Sequence, residues 1–138
     1  MSHQVLHFAM PKQSSQRVFK TAWFAKHARK SKISDAELCL VIKQVMLGQA
    51  DDLGAGVFKK RLNDNMHRSI ILAKGGKHWV YEYLFAKKDR DNIEDDELKA
   101  FRQLAKSYAD LTQLQLDALV GNGHFVEICH DDKTQVQK

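Results

Sequence analysis

The basic residues of the segment 58–90 are the side chains of this chain best suited to chemistry. The segment holds nine Lys and Arg against three acidic residues, a formal charge of +6. Residues 91–138 carry −5 and residues 1–57 carry +4, so the positive charge is concentrated in one part of the chain. Clustered cations bind phosphate groups without reading sequence, because each one neutralises a backbone charge. The segment therefore predicts a surface that handles phosphates, the alternative being an ordinary solvated surface.

An aromatic-rich apolar run, Trp79–Ala86, stops at a second basic cluster. The cluster consists of Lys87, Lys88 and Arg90, and an acidic stretch follows it. This order predicts a buried strand that delivers cations to the edge of a sheet, followed by a helix whose acidic first turn suits the helix dipole. Asn92 is the predicted N-cap of that helix.

The N-terminal part of the chain predicts one strand and two helices. The strand is expected at Val18–Trp23, and a short basic helix at Phe24–Lys32. A capping box at Ser34–Glu37 opens the second helix, whose apolar residues from Leu38 to Met46 recur at helical spacing. Gly48 is its natural end.

The basic segment itself predicts strands. Asp51–Gly56 is expected to be a glycine-bearing turn, and strands follow at Val57–Leu62, His67–Ala73 and His78–Ala86. Gly75-Gly76 suits a tight hairpin between the last two strands, which are therefore predicted to be antiparallel neighbours. The last strand has apolar residues on both faces, as is typical of a central strand.

Two helices and a short strand complete the predicted order. The first helix buries an apolar face between Leu98 and Tyr108, and Thr112 with Gln115 caps the second. The strand is expected at Phe125–Cys129. The predicted fold class is α+β, with a mostly antiparallel sheet packed against two N-terminal helices and with C-terminal helices.

Length and composition limit the class of protein. Residues 17–130 are predicted to form one domain, between a flexible arm at 1–16 and a polar tail at 131–138. The longest apolar run is far shorter than the roughly 20 residues that cross a membrane, and the arm lacks the apolar core of a signal peptide. Cys39 and Cys129 are too few for a disulfide framework, which indicates a reducing cytoplasm and a Cys39 buried as an apolar side chain.

The order of elements and the local sequence resemble the RelE/ParE superfamily of bacterial type II toxins. The similar text is VFKTAWFAKHARKSKISDAELC at 18–39, Asp52–Val57 leading into Phe58–Arg61, and Phe85–Lys87 with the residues 90–98 that follow. These stretches are similar to one branch, described as RelE-like toxins or cytotoxic translational repressors. The resemblance covers residues 17–128.

The resemblance implies a small cytoplasmic toxin neutralised by an antitoxin encoded beside it, typically a helix-turn-helix DNA-binding protein. Many members of the family cut messenger RNA in the ribosomal A site without a metal, and no cofactor is implied. ParE-like members instead inhibit DNA gyrase, and a catalytically inactive binding or regulatory member is a further alternative. In one departure from the branch, the Gly/Lys/Ser-rich loop before the arginine-bearing strand is shortened here to Asn63–Met66.

Metal-free RNA cleavage needs a base for the 2′-hydroxyl, cations for the phosphorane and an acid for the leaving 5′-oxygen. By their match to the family, Lys59, Arg61, Arg68 and Lys87 are the predicted catalytic residues. The two arginines would bind the scissile phosphate, and a lysine would stabilise charge or move a proton if neighbouring cations lower its pKa. The run Cys129–Asp132 has no second pair of ligands at matching spacing, so no metal site is predicted.

A wider set of residues is predicted to contact RNA or to act as acid or base. His67 and His78 titrate in the right range for proton transfer, the alternative being surface histidines at strand ends. Tyr81 could stack on an RNA base, but aromatic residues in a central strand are more often core, as is also expected for Trp23. The other predicted RNA-binding residues are Lys60, Lys74, Lys77, Lys88 and Arg90.

Overall fold

The computed structural model describes residues 16–75 and 77–130, with the side chain of Lys74 left out. The predicted polar tail and, apart from Gln16, the predicted arm lie outside these residues. The described elements are β1 (Arg17–Thr21), α1 (Ala22–Lys30), α2 (Asp35–Met46), β2 (Asp51–Gly54), β3 (Val57–Leu62), β4 (His67–Lys74), β5 (His78–Ala86), α3 (Asp95–Ala109), α4 (Gln113–Gly121) and β6 (Phe125–Ile128).

The strands form one mostly antiparallel sheet in the order β2-β3-β4-β5-β1-β6. Only the pairing of β1 with β5 is parallel among the described strands. The α+β class is therefore confirmed, as are the β4–β5 hairpin and the central position of β5. Asp51–Gly54 was predicted as part of a turn but pairs with β3 as an edge strand, so that prediction is wrong at this point.

Helices cover both faces of the sheet. We call the side under α1 and α2 the first face, where Phe24 and Leu38 pack with Ile71 and Tyr81. The other side, the second face, is covered by α3 and α4. Alternate residues of a strand point to opposite faces, so the core side chains of β3 and β4 divide between these two layers. Most of the apolar surface of the strands is thereby removed from water, which leaves the strand ends to carry polar side chains.

Strict alternation along β5 predicts that Trp79, Tyr81, Tyr83 and Phe85 lie on one face. A β-bulge separates the first two from the last two. Ile70 is opposite Tyr83, whereas its neighbour Ile71 is opposite Tyr81, so Glu82 is an extra residue. Tyr81 consequently packs in the core of the first face, whereas Tyr83 packs against the core of the second face. The continuous stripe expected from strict alternation is therefore wrong, because a bulge shifts every side chain beyond it.

Caps decide where the helices begin. The hydroxyl of Thr21 accepts a hydrogen bond from the Phe24 amide, so β1 ends earlier and α1 begins earlier than predicted. The predicted capping box of α4 is confirmed. For α2 the Ser34 cap is confirmed, but the second half of the predicted box is not, because the Glu37 carboxylate accepts from the Asn63 amide instead. The N-cap of α3 is Glu94, which forms a capping box with Glu97, and not Asn92. None of the helices in the described part of the chain is long and apolar enough to cross a membrane.

Cys39 and Cys129 form a disulfide bond between α2 and the residue after β6. The prediction that Cys39 is a reduced apolar side chain is therefore wrong. The two residues are 90 positions apart in sequence and meet only through the fold, so their spacing could not reveal the bond. With the bond in place, the number of cysteines no longer argues for a reducing cytoplasm.

Candidate nucleic-acid interface

Two arginines face each other at one end of the sheet. Arg61 of β3 and Arg68 of β4 are direct cross-strand partners on the second face. Arg61 is exposed and Arg68 is half-buried. Within residues 16–75 and 77–130, neither guanidinium takes part in an ion pair. Like charges directly opposite each other destabilise a strand pair, and an anion between the two guanidinium groups would relieve that repulsion.

The tight turn between β3 and β4 orients Arg68. Asn63, Asp64 and Asn65 all adopt positive φ angles, of 55°, 53° and 71°, a conformation that Asn and Asp tolerate better than most residues. The Nη1 atom of Arg68 donates to the carbonyl oxygens of Asn65, at 3.0 Å, and of His67, at 3.2 Å. These two neutral acceptors hold the guanidinium in place without cancelling its charge.

Lys59 lies on the same face, two residues before Arg61, but its ammonium group is engaged. The Nζ atom donates to the Asn92 side-chain oxygen at 3.2 Å and lies 3.8 Å from a carboxylate oxygen of Asp51. Asp51 is also the residue opposite Lys59 on β2. Lys59 is therefore positioned beside the arginine pair, with part of its charge neutralised.

A groove of about 710 Å³ opens where the β3–β4 turn, the end of β5 and the end of α1 meet. His67, Lys87 and Lys88 line it, and its walls also carry acidic side chains. The backbone amide of Lys87 donates to the Met66 carbonyl at 2.9 Å, which ties the loop after β5 to the turn. Among the described residues that line this groove, neither Arg61 nor Arg68 is present. His67 is opposite Leu62 on the first face, so the groove lies at the same end of the sheet as the arginine pair but on the other face.

His67 is the titratable side chain of this groove that suits proton transfer. Burial lowers the pKa of His67, and Lys88 acts in the same direction, against the opposing effect of Asp89 and Glu37. The lowered pKa favours the neutral imidazole. Its Nδ1 atom lies 3.1 Å from the side-chain nitrogen of Asn63. A neutral imidazole can take up a proton, which an imidazolium cannot.

Several of the predicted RNA-binding residues, and the predicted acid or base His78, are not brought to this end of the sheet. His78 is opposite Lys74, and Lys77 lies in the hairpin turn beside them, so all three are at the far end of β4 and β5. Lys60 points to the first face, where its Nζ atom donates to the Gln49 carbonyl at 2.6 Å. The structure thus divides the basic residues of this segment among three places.

Tyr81 and Arg90 are near the site in sequence but are committed to structural contacts. Tyr81 is fully buried, burial raises its pKa, and its hydroxyl donates to the Leu38 carbonyl at 2.7 Å. The prediction that Tyr81 stacks on RNA is therefore wrong. Arg90 donates to both carboxylate oxygens of Glu97, at 3.1 and 2.5 Å, so its charge is largely neutralised at the start of α3.

Sequence reasoning missed an aromatic group at this end of the molecule. Trp23, expected in the core, is 42 % exposed. Its ring stacks on that of His27, with centroids 3.6 Å apart, and on that of Tyr83, at 5.1 Å. A signal was present, because the buried residues of α1 are Phe24 and Ala28, and Trp23 and His27 repeat the same i, i+4 spacing one position earlier, on the adjoining side of the helix.

The mixed sheet, the paired arginines and the groove at the same end define a small α+β protein with basic side chains gathered at one end of its sheet. Residues 16–128 match the family of the RelE toxin of the RelE/RelB toxin-antitoxin system. The match covers most of the chain, and the chain therefore belongs to the RelE toxin family. Membership makes it the toxin of a toxin–antitoxin system, with an antitoxin as its partner. No curated protein matches the chain.

Proposed function

We propose that this toxin inhibits translation by metal-independent cleavage of messenger RNA, at the ribosome and in the cytoplasm. The observation that carries the proposal is the direct pairing of Arg61 and Arg68. Two guanidinium groups on adjacent strands match the oxygens of a phosphodiester, and each can bind it through two parallel hydrogen bonds. Both guanidinium groups would stabilise the phosphorane more than the ground-state phosphate, as catalysis requires.

The groove at the same end of the sheet supplies the remaining groups, and the RNA would pass around the β3–β4 turn to reach both it and the arginine pair. His67, with its neutral imidazole, would take the proton of the 2′-hydroxyl as that oxygen attacks phosphorus. Lys87 would protonate the 5′-oxygen as the phosphorus–oxygen bond breaks, leaving a 2′,3′-cyclic phosphate and a 5′-hydroxyl. Lys59 is less suited to proton transfer, because Asn92 and Asp51 hold its ammonium group; we assign it to charge stabilisation.

The antitoxin is proposed to be a helix-turn-helix DNA-binding protein encoded by the adjacent gene. Its docking surface is proposed to include the outer side of α2. Leu40 is 64 % exposed and Leu47, one heptad later at the end of this helix, is 76 % exposed. These two exposed leucines on one side of the helix are the observation that supports this docking surface.

Induced expression in a bacterial host tests the proposal. The wild type, the double variant Arg61→Ala/Arg68→Ala and a control, Lys77→Ala, are compared by pulse labelling of protein and DNA synthesis and by mapping of messenger RNA ends. We expect the wild type and the control to stop protein synthesis first and to produce new ends inside coding regions. The double variant should lose about 100-fold or more of the cleavage, because it lacks both phosphate ligands.

Each other result has a defined meaning. Intact messages with a primary block in DNA replication would favour a gyrase inhibitor. The absence of any growth defect would indicate an inactive member. A double variant that retains the circular dichroism spectrum of the wild type and still arrests growth would remove Arg61 and Arg68 from the mechanism.

A further inference from the structure

We propose that Trp23, His27 and Tyr83 form an aromatic shelf that binds one nucleobase of a single-stranded RNA by stacking. The proposal rests on the proposed function, because the base would belong to the RNA whose phosphate is held at Arg61 and Arg68. The three rings are nearly parallel, with interplanar angles of 19° and 24° between Trp23 and its two neighbours. A flat base can extend such an array of rings.

The shelf lines a groove of about 320 Å³ between α1 and the end of β5. Ser31, His67 and Ala86 line both this groove and the larger one at the β3–β4 turn, so the two are continuous. A strand of RNA can therefore pass from the cations of the larger groove onto the shelf. This alternation of cations with stacking rings is the usual construction of single-strand binding sites.

The end of β5 offers polar groups beside the shelf. Strand β1 pairs with β5 only as far as Tyr81, so in the described part of the chain no strand pairs with residues 82–86 on that side. Backbone groups along a strand edge can donate to and accept from the edge of an unpaired base.

The charges of the shelf groove favour a base over a phosphate. Asp89 lines both grooves, so the difference between them lies in the cations. Two lysines line the larger groove, whereas the one cation lining the shelf groove in the described part of the chain, Arg90, is already bound to Glu97. The carboxylate of Asp89 can accept hydrogen bonds from the amino group of a base. The phosphates are therefore placed in the neighbouring groove, near Lys87 and Lys88, and the base is placed on the rings.

Fluorescence anisotropy of a labelled eight-nucleotide RNA tests the shelf. The RNA carries 2′-O-methyl riboses so that the full-length protein cannot cut it. We expect Trp23→Ala to weaken binding about tenfold, because one stacked base contributes roughly that much. Trp23→Phe should restore most of the affinity, and Leu114→Ala, an exposed apolar residue of α4, should leave it unchanged. The dependence of affinity on salt should be the same in Trp23→Ala as in the wild type, since no phosphate contact is lost.

An abasic scan of the same RNA keeps the test independent of folding. With the wild-type protein, removal of one base, at a single position, should weaken binding about tenfold. The variant Trp23→Ala should bind this abasic RNA and the intact RNA with equal affinity.

Several results would overturn the shelf. Equal RNA affinity of Trp23→Ala and the wild type would do so while leaving the proposed cleavage standing, since cleavage is judged by the messenger RNA ends. No RNA binding by the wild type at about 50 mM salt would also overturn it. Unchanged RNA affinity together with failure of the antitoxin to neutralise Trp23→Ala would assign the rings to a protein interface instead.

Discussion

Arg61 and Arg68 repel each other in the free protein, and the two strands that carry them pair in spite of that repulsion. Opposed like charges weaken a strand pair by roughly 0.2–1 kcal/mol. We therefore expect Arg61→Gln to raise the free energy of unfolding by a few tenths of a kcal/mol while it reduces toxicity. Chemical denaturation measures the first quantity and growth on induction the second.

Inorganic phosphate supplies the control for this prediction. An anion bound between the two guanidinium groups stabilises the folded state in proportion to its binding, so phosphate should raise the melting temperature of the wild type more than that of Arg61→Gln. Lys77→Gln should respond like the wild type. Equal responses of all three proteins would show that the arginine pair binds no phosphate.

Glu82, the extra residue of the β5 bulge, gives a pH-dependent stability. Burial raises the pKa of Glu82, although the Tyr108 hydroxyl, 2.7 Å from its carboxylate, opposes the effect. Between the ordinary value of 4.5 and the raised value, the folded state holds the proton more tightly, so stability is lost as pH rises through this window. Glu82→Gln should therefore be more stable than the wild type at pH 7, on the order of 1 kcal/mol, and equal to it below about pH 4.

Glu127 is the matched control, because its pKa is shifted in the opposite direction. Two hydrogen bonds from Arg17, each 2.8 Å long, lower the pKa of Glu127. The stability that ionised Glu127 contributes is therefore present above the ordinary pKa of 4.5 and is lost as pH falls through the lowered pKa of the folded state. Glu127→Gln should be less stable than the wild type at pH 7 and converge with it in acid. Shifts of the same sign in both variants would contradict these assignments.

At the scale of elements, the disulfide joins α2 to the end of the edge strand β6. Closing a loop of 90 residues restricts the unfolded chain, a contribution of about 2–5 kcal/mol. Cys39→Ser/Cys129→Ser should therefore melt roughly 10 °C below the oxidised wild type. Calorimetry measures the difference.

Reducing agent separates the bond from the side chains. It should lower the melting temperature of the wild type to that of the double serine variant and leave the variant unchanged. Two titratable thiols in the folded, untreated protein would show that the bond does not form in solution.

Elements with a strong period were predictable from the sequence, and elements made by tertiary contact were not. The bounds of β3 and β5 and the capped start of α2 follow from apolar spacing and capping residues. Strand β2 has no apolar alternation and exists because β3 offers a free edge. The bulge at Glu82 has no signature in the local pattern, and it places Tyr83 on the second face of the sheet, opposite to the face of Tyr81.

The candidate site was predictable to a similar degree. The spacing of Lys59 and Arg61 on one strand placed them on the same face, which the register confirms. Arg90 is bound by Glu97, and Tyr81 lies beneath α2. Neither contact could be predicted, because only the fold brings these partners together. The catalytic roles of these residues remain predictions.

At the scale of the whole molecule, the position of charge matters more than its amount. Two lysine pairs lie at opposite ends of the β4–β5 hairpin: Lys87 and Lys88 follow it at the end that carries the arginine pair, and Lys74 and Lys77 lie at the other end. Changing either pair to glutamine lowers the net charge of +5 by the same amount. We expect Lys87→Gln/Lys88→Gln to weaken RNA binding and cut toxicity at least tenfold, and Lys74→Gln/Lys77→Gln to retain both.

The comparison separates a defined site from general attraction. Long-range attraction depends on net charge and is screened beyond about 8 Å at physiological salt, so it would make the two variants equally weak. A local phosphate contact instead reduces the salt dependence of binding by about one unit per lysine lost, and only for the pair at the site. Measuring RNA affinity at several salt concentrations for both variants decides between these cases. Equal losses of RNA affinity in the two variants would mean that the hairpin attracts RNA as a whole. The end of the sheet bearing Arg61 and Arg68 would then not be a specific phosphate site.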